Sequence, residues 1–292
     1  MNMLPRLAQR IFNTPVAIHP RKAEVVLAAL ADRLGIGHIG QLDAPAIVPM
    51  AFDEDDDYFE REGRSERSGF DMVGEVAVIE VCGTLVQKLG TLRPYSGMTG
   101  YDGIRQNFLM ALTDPAVKAI ALDIDSPGGE VAGCFDLVDL IYRARGAKPI
   151  WAILHESAYS AAYAIASACD RIVVPRTGGT GSIGVICAHV DFSKALATGG
   201  IKVTFITYGD RKADGHSEIP LSPEALERFQ ADIDTMGELF VTTVARNRAL
   251  APDKIRGMQA ATFMGGDGVT LGLADAVMAP DAAFRALIAE LH

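Results

Sequence analysis

At 292 residues the chain has room for one large domain or two ordinary ones. With 49% hydrophobic and 22% charged residues it has the composition of a globular protein with a sizeable core. The formal net charge of −10 argues against a nucleic-acid-binding surface, because phosphate contacts need clustered Lys and Arg.

Residues 1–40 read as a small helical preface. In "PRKAEVVLAALADRLG" the apolar residues Val25, Val26, Leu30 and Leu34 recur at helical spacing, and Gly35 closes the run. Residues 41–70 turn polar, and the acidic run "DEDDDYFERE" reads as a solvated linker. This divides the chain into an N-terminal helical extension with its linker, 1–70, and a main domain, 71–292.

From residue 73 the texture changes to an alternation of strands and helices. "EVAVIEV" predicts a buried strand, and "YDGIRQNFLMALTD" a helix with Ile104, Phe108 and Leu112 on one face. "VKAIALDID" predicts a strand that ends in a turn at "SPGG". A helix follows over "VAGCFDLVDLIYRAR", with Val131, Phe135, Val138 and Ile141 at helical spacing. "PIWAILH" is the next strand, and a helix opens at Ser160. "RIVVP", "SIGVICAHVD" and "IKVTFITY" predict further strands, with a short helix ending at "ALATGG". Residues 222–248 form a long amphipathic helix whose stripe Leu226, Phe229, Ile233, Met236 and Phe240 reads as core-facing. Such repetition implies right-handed crossovers and a mainly parallel sheet flanked by helices, an α/β fold.

Cys82, Cys134, Cys169 and Cys187 form no CxxC pair and sit in apolar segments, so they read as reduced, buried thiols. Their spacing does not suit zinc. The N-terminus lacks the apolar core of a signal peptide, and no apolar run approaches the roughly 18 residues of a membrane span. A soluble, cytoplasmic protein is the expectation.

In strand-to-helix folds, the carboxyl ends of strands and the amino ends of helices face one crevice. Three features fall there. "DSPGGE" at 125–130 is either a tight turn or an oxyanion site, with N–H groups of Gly128 or Gly129 aimed at a developing negative charge. Ser160 either caps the helix that follows or acts as a nucleophile, with Ala161 and Ala162 leaving room for a carbonyl above its hydroxyl. Lys212, in "YGDRKADG", is either a solvated turn residue or a general base. As a base it would need burial to shed the proton that a lysine ordinarily holds to a pKa of about 10.4. Two rival chemistries use neighbouring residues. Glu130 and Glu156 could serve as the acid and base of a crotonase-like acyl-CoA hydratase, and His155 or His189 as the base of a Ser–His–Asp peptidase.

The motifs "DSPGG", "YSAAY", "GTGSIGV", "GDRKADG" and "LGLADAV" occur in that order, and over residues 73–278 the chain resembles family S49 serine peptidases. That family includes the signal-peptide-peptidase-A group and a phage head-maturation branch. The resemblance implies a ClpP/crotonase-type fold, Ser160 as nucleophile and Lys212 as general base. It further implies Ser182 as the residue that orients the lysine, Gly129 as the oxyanion N–H donor, and no metal or cofactor. Ala161-Ala162 stands where the membrane-type peptidases have Gly-Gly, and no membrane anchor is visible. Both departures favour the phage branch, together with the look of the stretch "FNTPVAIHPRKAEVVLAAL". A capsid or scaffold protein as substrate, a homo-oligomeric ring, and a place in the host cytoplasm or prohead follow as expectations. A soluble peptidase that degrades signal peptides is the alternative.

Overall fold

The computed structural model describes residues 14–22 and 69–292. The helix expected over 21–35 falls almost entirely outside these residues, as does the acidic run at 53–62. In chain order, strands β1 (Val16–Ile18), β2 (Asp71–Val73), β3 (Val76–Val86) and β4 (Met98–Gly100) precede helix α1 (Tyr101–Thr113). Then β5 (Ala119–Glu130), α2 (Cys134–Arg143), β6 (Ile150–Ala158), α3 (Ala161–Ser167) and β7 (Arg171–Val174) alternate. They are followed by β8 (Gly179–Gly181), α4 (Ser193–Thr198), α5 (Pro223–Arg248) and α6 (Pro252–Gly257). Last come β9 (Thr262–Met264), α7 (Gly265–Thr270), β10 (Ala276–Val277) and α8 (Pro280–Ala289).

Strand periodicity builds the two layers of core. Ala77, Ile79 and Val81 of β3, Ile120, Leu122 and Ile124 of β5, and Ala152 and Leu154 of β6 share one face. They pack there with Ile104 and Phe108 of α1, Leu137, Val138 and Ile141 of α2, and residues 161–166 of α3. On the opposite face Val76, Ala119, Ala121, Trp151, Ile153 and Val173 meet Ala283 and Leu287 of α8. The main strand order is β10-β7-β6-β5-β3-β2. The neighbours from β10 to β3 are parallel, and β2 is antiparallel to β3 at the edge. The expected mainly parallel sheet covered by helices is therefore present.

Several local expectations are corrected. "SPGG" is not a plain turn: β5 continues through it to Glu130, because Thr84 and Leu85 of β3 pair with Gly128 and Gly129. Residues 182–191 and 201–208 form no named strand, although both are rich in β-branched residues. No ladder covers the second of these, and Ile206 and Tyr208 are left almost fully exposed. The stripe on α5 is core only toward its end: Phe240, Val241 and Val244 are buried, whereas Leu226 is exposed. Of the cysteines, Cys134 and Cys169 are buried, Cys82 and Cys187 half-buried, and all four are free.

Candidate active site

Strand β6 ends at Ala158, and after two intervening residues the chain enters α3, all seven of whose residues are buried. Ser160 sits on this sharp strand-to-helix turn with φ 55° and ψ −120°, a backbone state costly for a residue with a Cβ. Its amide donates to Gly181 O at 2.9 Å, which helps hold the turn. The hydroxyl makes no capping bond to the helix and instead donates to Gly184 O at 3.4 Å. Helix capping, the simpler role open to this serine, is therefore not the one it fills. Such a strained turn lifts a side chain out above the end of a sheet, as nucleophile-bearing turns do.

Beside it runs the end of β5. A Cβ on Gly128 would lie 3.0 Å from Ser160 Cβ, so only glycine lets the strand pass this closely. Gly128 also has φ 99°. Its N–H donates to Ser126 Oγ at 3.1 Å, and Ser126 in turn donates to Gly83 O at 2.7 Å. Gly129 is the amide of the pair with no side-chain acceptor among the described residues. The Ala161 amide, a further candidate donor, is not singled out by the sequence reading, which names Gly128 and Gly129. Ala161 is the first residue of α3, and the first amides of a helix have no intrahelical acceptor. Only the knowledge that the residue after a nucleophile often serves this way could have suggested it.

Ser182 lies in the same region. It is buried, has φ 55°, and its amide donates to Ala261 O at 2.8 Å. Because Ser160 N–H bonds the carbonyl of Gly181, the two serines are coupled through one peptide unit. Lys212 is placed differently. It is exposed on the turn 208–214, and no hydrogen bond or ion pair joins it to Ser160 or Ser182 among the described residues.

The groups around the serine include a buried thiol and a ring pair. Cys134 Sγ contacts Ala161 O at 3.8 Å, and burial pushes its thiol up to about 12. His19 stacks on Tyr159 with ring centroids 5.0 Å apart, and burial, then Arg21, holds its imidazole below the usual range. Three of the rival residues have partners away from Ser160. Glu130 accepts from Gln87 N at 2.6 Å, while Glu156 is exposed and meets Thr177 Oγ1 at 3.4 Å. His155 is exposed and faces Asp123 Oδ1 at 3.3 Å. Among the described residues no helix is long and apolar enough to cross a membrane.

The chain is similar to the head-tail preconnector protein GP5 of Enterobacteria phage P21, with 40% identity over 278 residues, 93% of this chain and 54% of that protein. To the capsid assembly protease C of Escherichia phage lambda it is 37% identical over 279 residues, 93% of this chain and 62% of that protein. It thus spans little more than half the length of these relatives. The chloroplastic serine protease SPPA of Arabidopsis thaliana is more distant, at 28% identity over 70% of this chain and 30% of that protein. Among solved structures, a ClpP1 mutant from Listeria monocytogenes gives a TM-score of 0.43 at 12% identity, over 69% of this chain and 90% of that one. Residues 143–291 match the model of peptidase family S49, a stretch that contains Ser160, Ser182 and Lys212. The chain belongs to peptidase family S49.

Proposed function

We propose that this chain is a serine endopeptidase that cuts capsid or scaffold proteins during phage head assembly. The observation that carries the reading is the backbone of Ser160: a buried serine at φ 55° on a strand-to-helix turn, its hydroxyl free of capping duty, beside a glycine strand. The name of the lambda relative, a capsid assembly protease, supports the substrate class, and the lower identity of the SPPA relative makes a signal-peptide-peptidase-like role the weaker alternative.

In the proposed cycle Ser160 Oγ attacks the scissile carbonyl while the neutral amine of Lys212 takes the hydroxyl proton. The oxyanion is met by Gly129 N–H and Ala161 N–H. Collapse of the tetrahedral intermediate breaks the C–N bond, and the lysine proton passes to the leaving amine. Water then repeats the route, and the acyl group leaves as an acid. Ser182 has the role of orienting the lysine. Assembly of several copies fits this reading. Ile201, Ile206 and Tyr208 are uncovered in the single chain, and burying that segment against a neighbour would take nearby Lys212 out of bulk water.

Co-expression with the capsid and scaffold proteins of its own genome, followed by intact-mass spectrometry, tests the reading. Defined fragments should appear with the wild type and be absent with Ser160→Ala. Undiminished cutting by Ser160→Ala would overturn it.

A further inference from the structure

Beyond Ser126, β5 and β6 part company. Their last register pair is Ser126–Ala158, after which β6 turns into the Ser160 elbow. The edge of β5 over Gly128–Glu130 is thereby vacated on the side of the nucleophile, while its other edge stays paired with β3. A vacated edge is where an extended peptide adds as a further strand. Here it is filled by the chain itself: β1 runs antiparallel to it, with Val16 opposite Glu130, Ala17 opposite Gly129 and Ile18 opposite Gly128.

The bonding pattern fixes which groups meet. His19 N–H donates to Pro127 O at 2.7 Å, and in an antiparallel ladder hydrogen-bonded pairs recur every second residue. The next such pair is Ala17–Gly129, so Gly129 N–H points at the Ala17 carbonyl. Ala17 O and Ser160 Cβ flank one point, the Cβ position of Gly128, at 2.2 and 3.0 Å. On its other edge β1 is gripped by Ile186: Val16 N–H donates to Ile186 O, and Ile186 N–H donates to Val16 O, both at 2.9 Å. The segment is suited to lying extended. Pro15 and Pro20 bracket it, and a residue before proline is biased away from helix. Ala17 is fully buried and packs in the main core cluster.

We propose that residues 16–18 fill the track in which a substrate peptide lies, so that the chain carries an internal competitor for its own active site. The track then takes an extended strand with a small apolar residue opposite Gly129, flanked by aliphatic residues. This rests on the peptidase reading above for the word substrate, but not for the existence of the track.

The test separates the two. The probe is a fluorescent peptide with the sequence of residues 14–20, TPVAIHP, and binding is read by anisotropy in a Ser160→Ala background, where no cleavage intervenes. Ala17→Asp, which puts a carboxylate on a buried methyl, should expel β1. The peptide should then bind at least tenfold more tightly than to Ser160→Ala alone, and a peptide with Phe in place of its Ala should not. Should Ala17→Asp not fold, Val16→Pro removes only the amide that bonds Ile186 O and serves in its place. Equal affinity in both backgrounds, with hydrogen exchange showing β1 released, would overturn the inference. Tight peptide binding by Ala17→Asp, with no hydrolysis once Ser160 is restored, would leave the track standing and remove the peptidase reading.

Discussion

Arg145 holds the far end of the nucleophile helix, and its removal should be among the costliest single changes outside the sheet. Its Nε donates to Ala168 O at 2.8 Å, Nη2 to Ser167 O at 2.8 Å and Cys169 O at 2.5 Å, and Nη1 to Asn247 O at 3.2 Å. The first three acceptors are carbonyls at the end of α3, which a helix leaves without partners and which here belong to fully buried residues. A cation is also the favoured charge at a helix C-terminus. In Arg145→Ala, water entering the vacated space can reach some of the four carbonyls. If two stay orphaned at roughly 1.5 kcal/mol each, the loss is about 3 kcal/mol. Arg145→Lys keeps the charge but not the planar fork, so it should recover only part of that. Urea denaturation reads both values from the midpoint at unchanged slope. A loss below about 0.5 kcal/mol for Arg145→Ala, the size of an ordinary surface change, would refute the reasoning.

Other outcomes follow from single contacts. Gly129→Ala would set a Cβ 1.8 Å from Leu85 O, a backbone clash that only separation of β3 from β5 relieves. The variant should lose at least about 2 kcal/mol in the same urea assay, or fail to accumulate as folded protein. If Lys212 is the base, Lys212→Ala should lose at least about 100-fold in peptide hydrolysis. An unchanged rate in that variant would remove Lys212 from the chemistry. Burial pushes the Cys134 thiol up to about 12 and that of Cys169 higher still. Iodoacetamide at pH 8 should therefore add no more than two groups to the native protein, at Cys82 and Cys187, and four after unfolding, as read by intact mass.

The alternation between residues 117 and 174 was legible because each buried strand and helix carries its own period. Ser160 at the mouth of α3 was legible for the same reason: the break between "PIWAILH" and the small-residue helix marks the turn. What stayed hidden depends on partners far away in the chain. The continuation of β5 through Pro127–Gly129 is imposed by Thr84 and Leu85, which a local reading of a Pro-Gly-Gly turn does not see. A three-residue strand such as β1 has no period to detect, and its place is set by pairing with residues more than a hundred positions on. Residues 201–208 show the converse case, since strong strand propensity produces no strand where no edge is offered. On α5 the apolar stripe continues beyond the core it was assigned to, because amphipathicity reports a face to be covered and not what covers it.

Two of the six described non-glycine residues at positive φ lie where the chemistry is expected, and what holds them there is mechanical. Ser160 and Ser182 both sit at positive φ, in a region that disfavours residues with a Cβ. Each is held there by a hydrogen bond from its amide to another segment: Ser160 N–H to Gly181 O, and Ser182 N–H to Ala261 O. Gly181 belongs to β8, which pairs with β6 on one side and β9 on the other. The three segments therefore lock one another, and neither serine can relax without breaking a sheet contact. Strain of about 1–3 kcal/mol per residue persists only under such over-determination. It follows that Ser160, the proposed nucleophile, is positioned by a rigid frame, whereas Lys212 rides on an exposed turn outside it. If Lys212 is the base, bringing its amine to Ser160 requires that turn to move or a neighbouring copy to cover it.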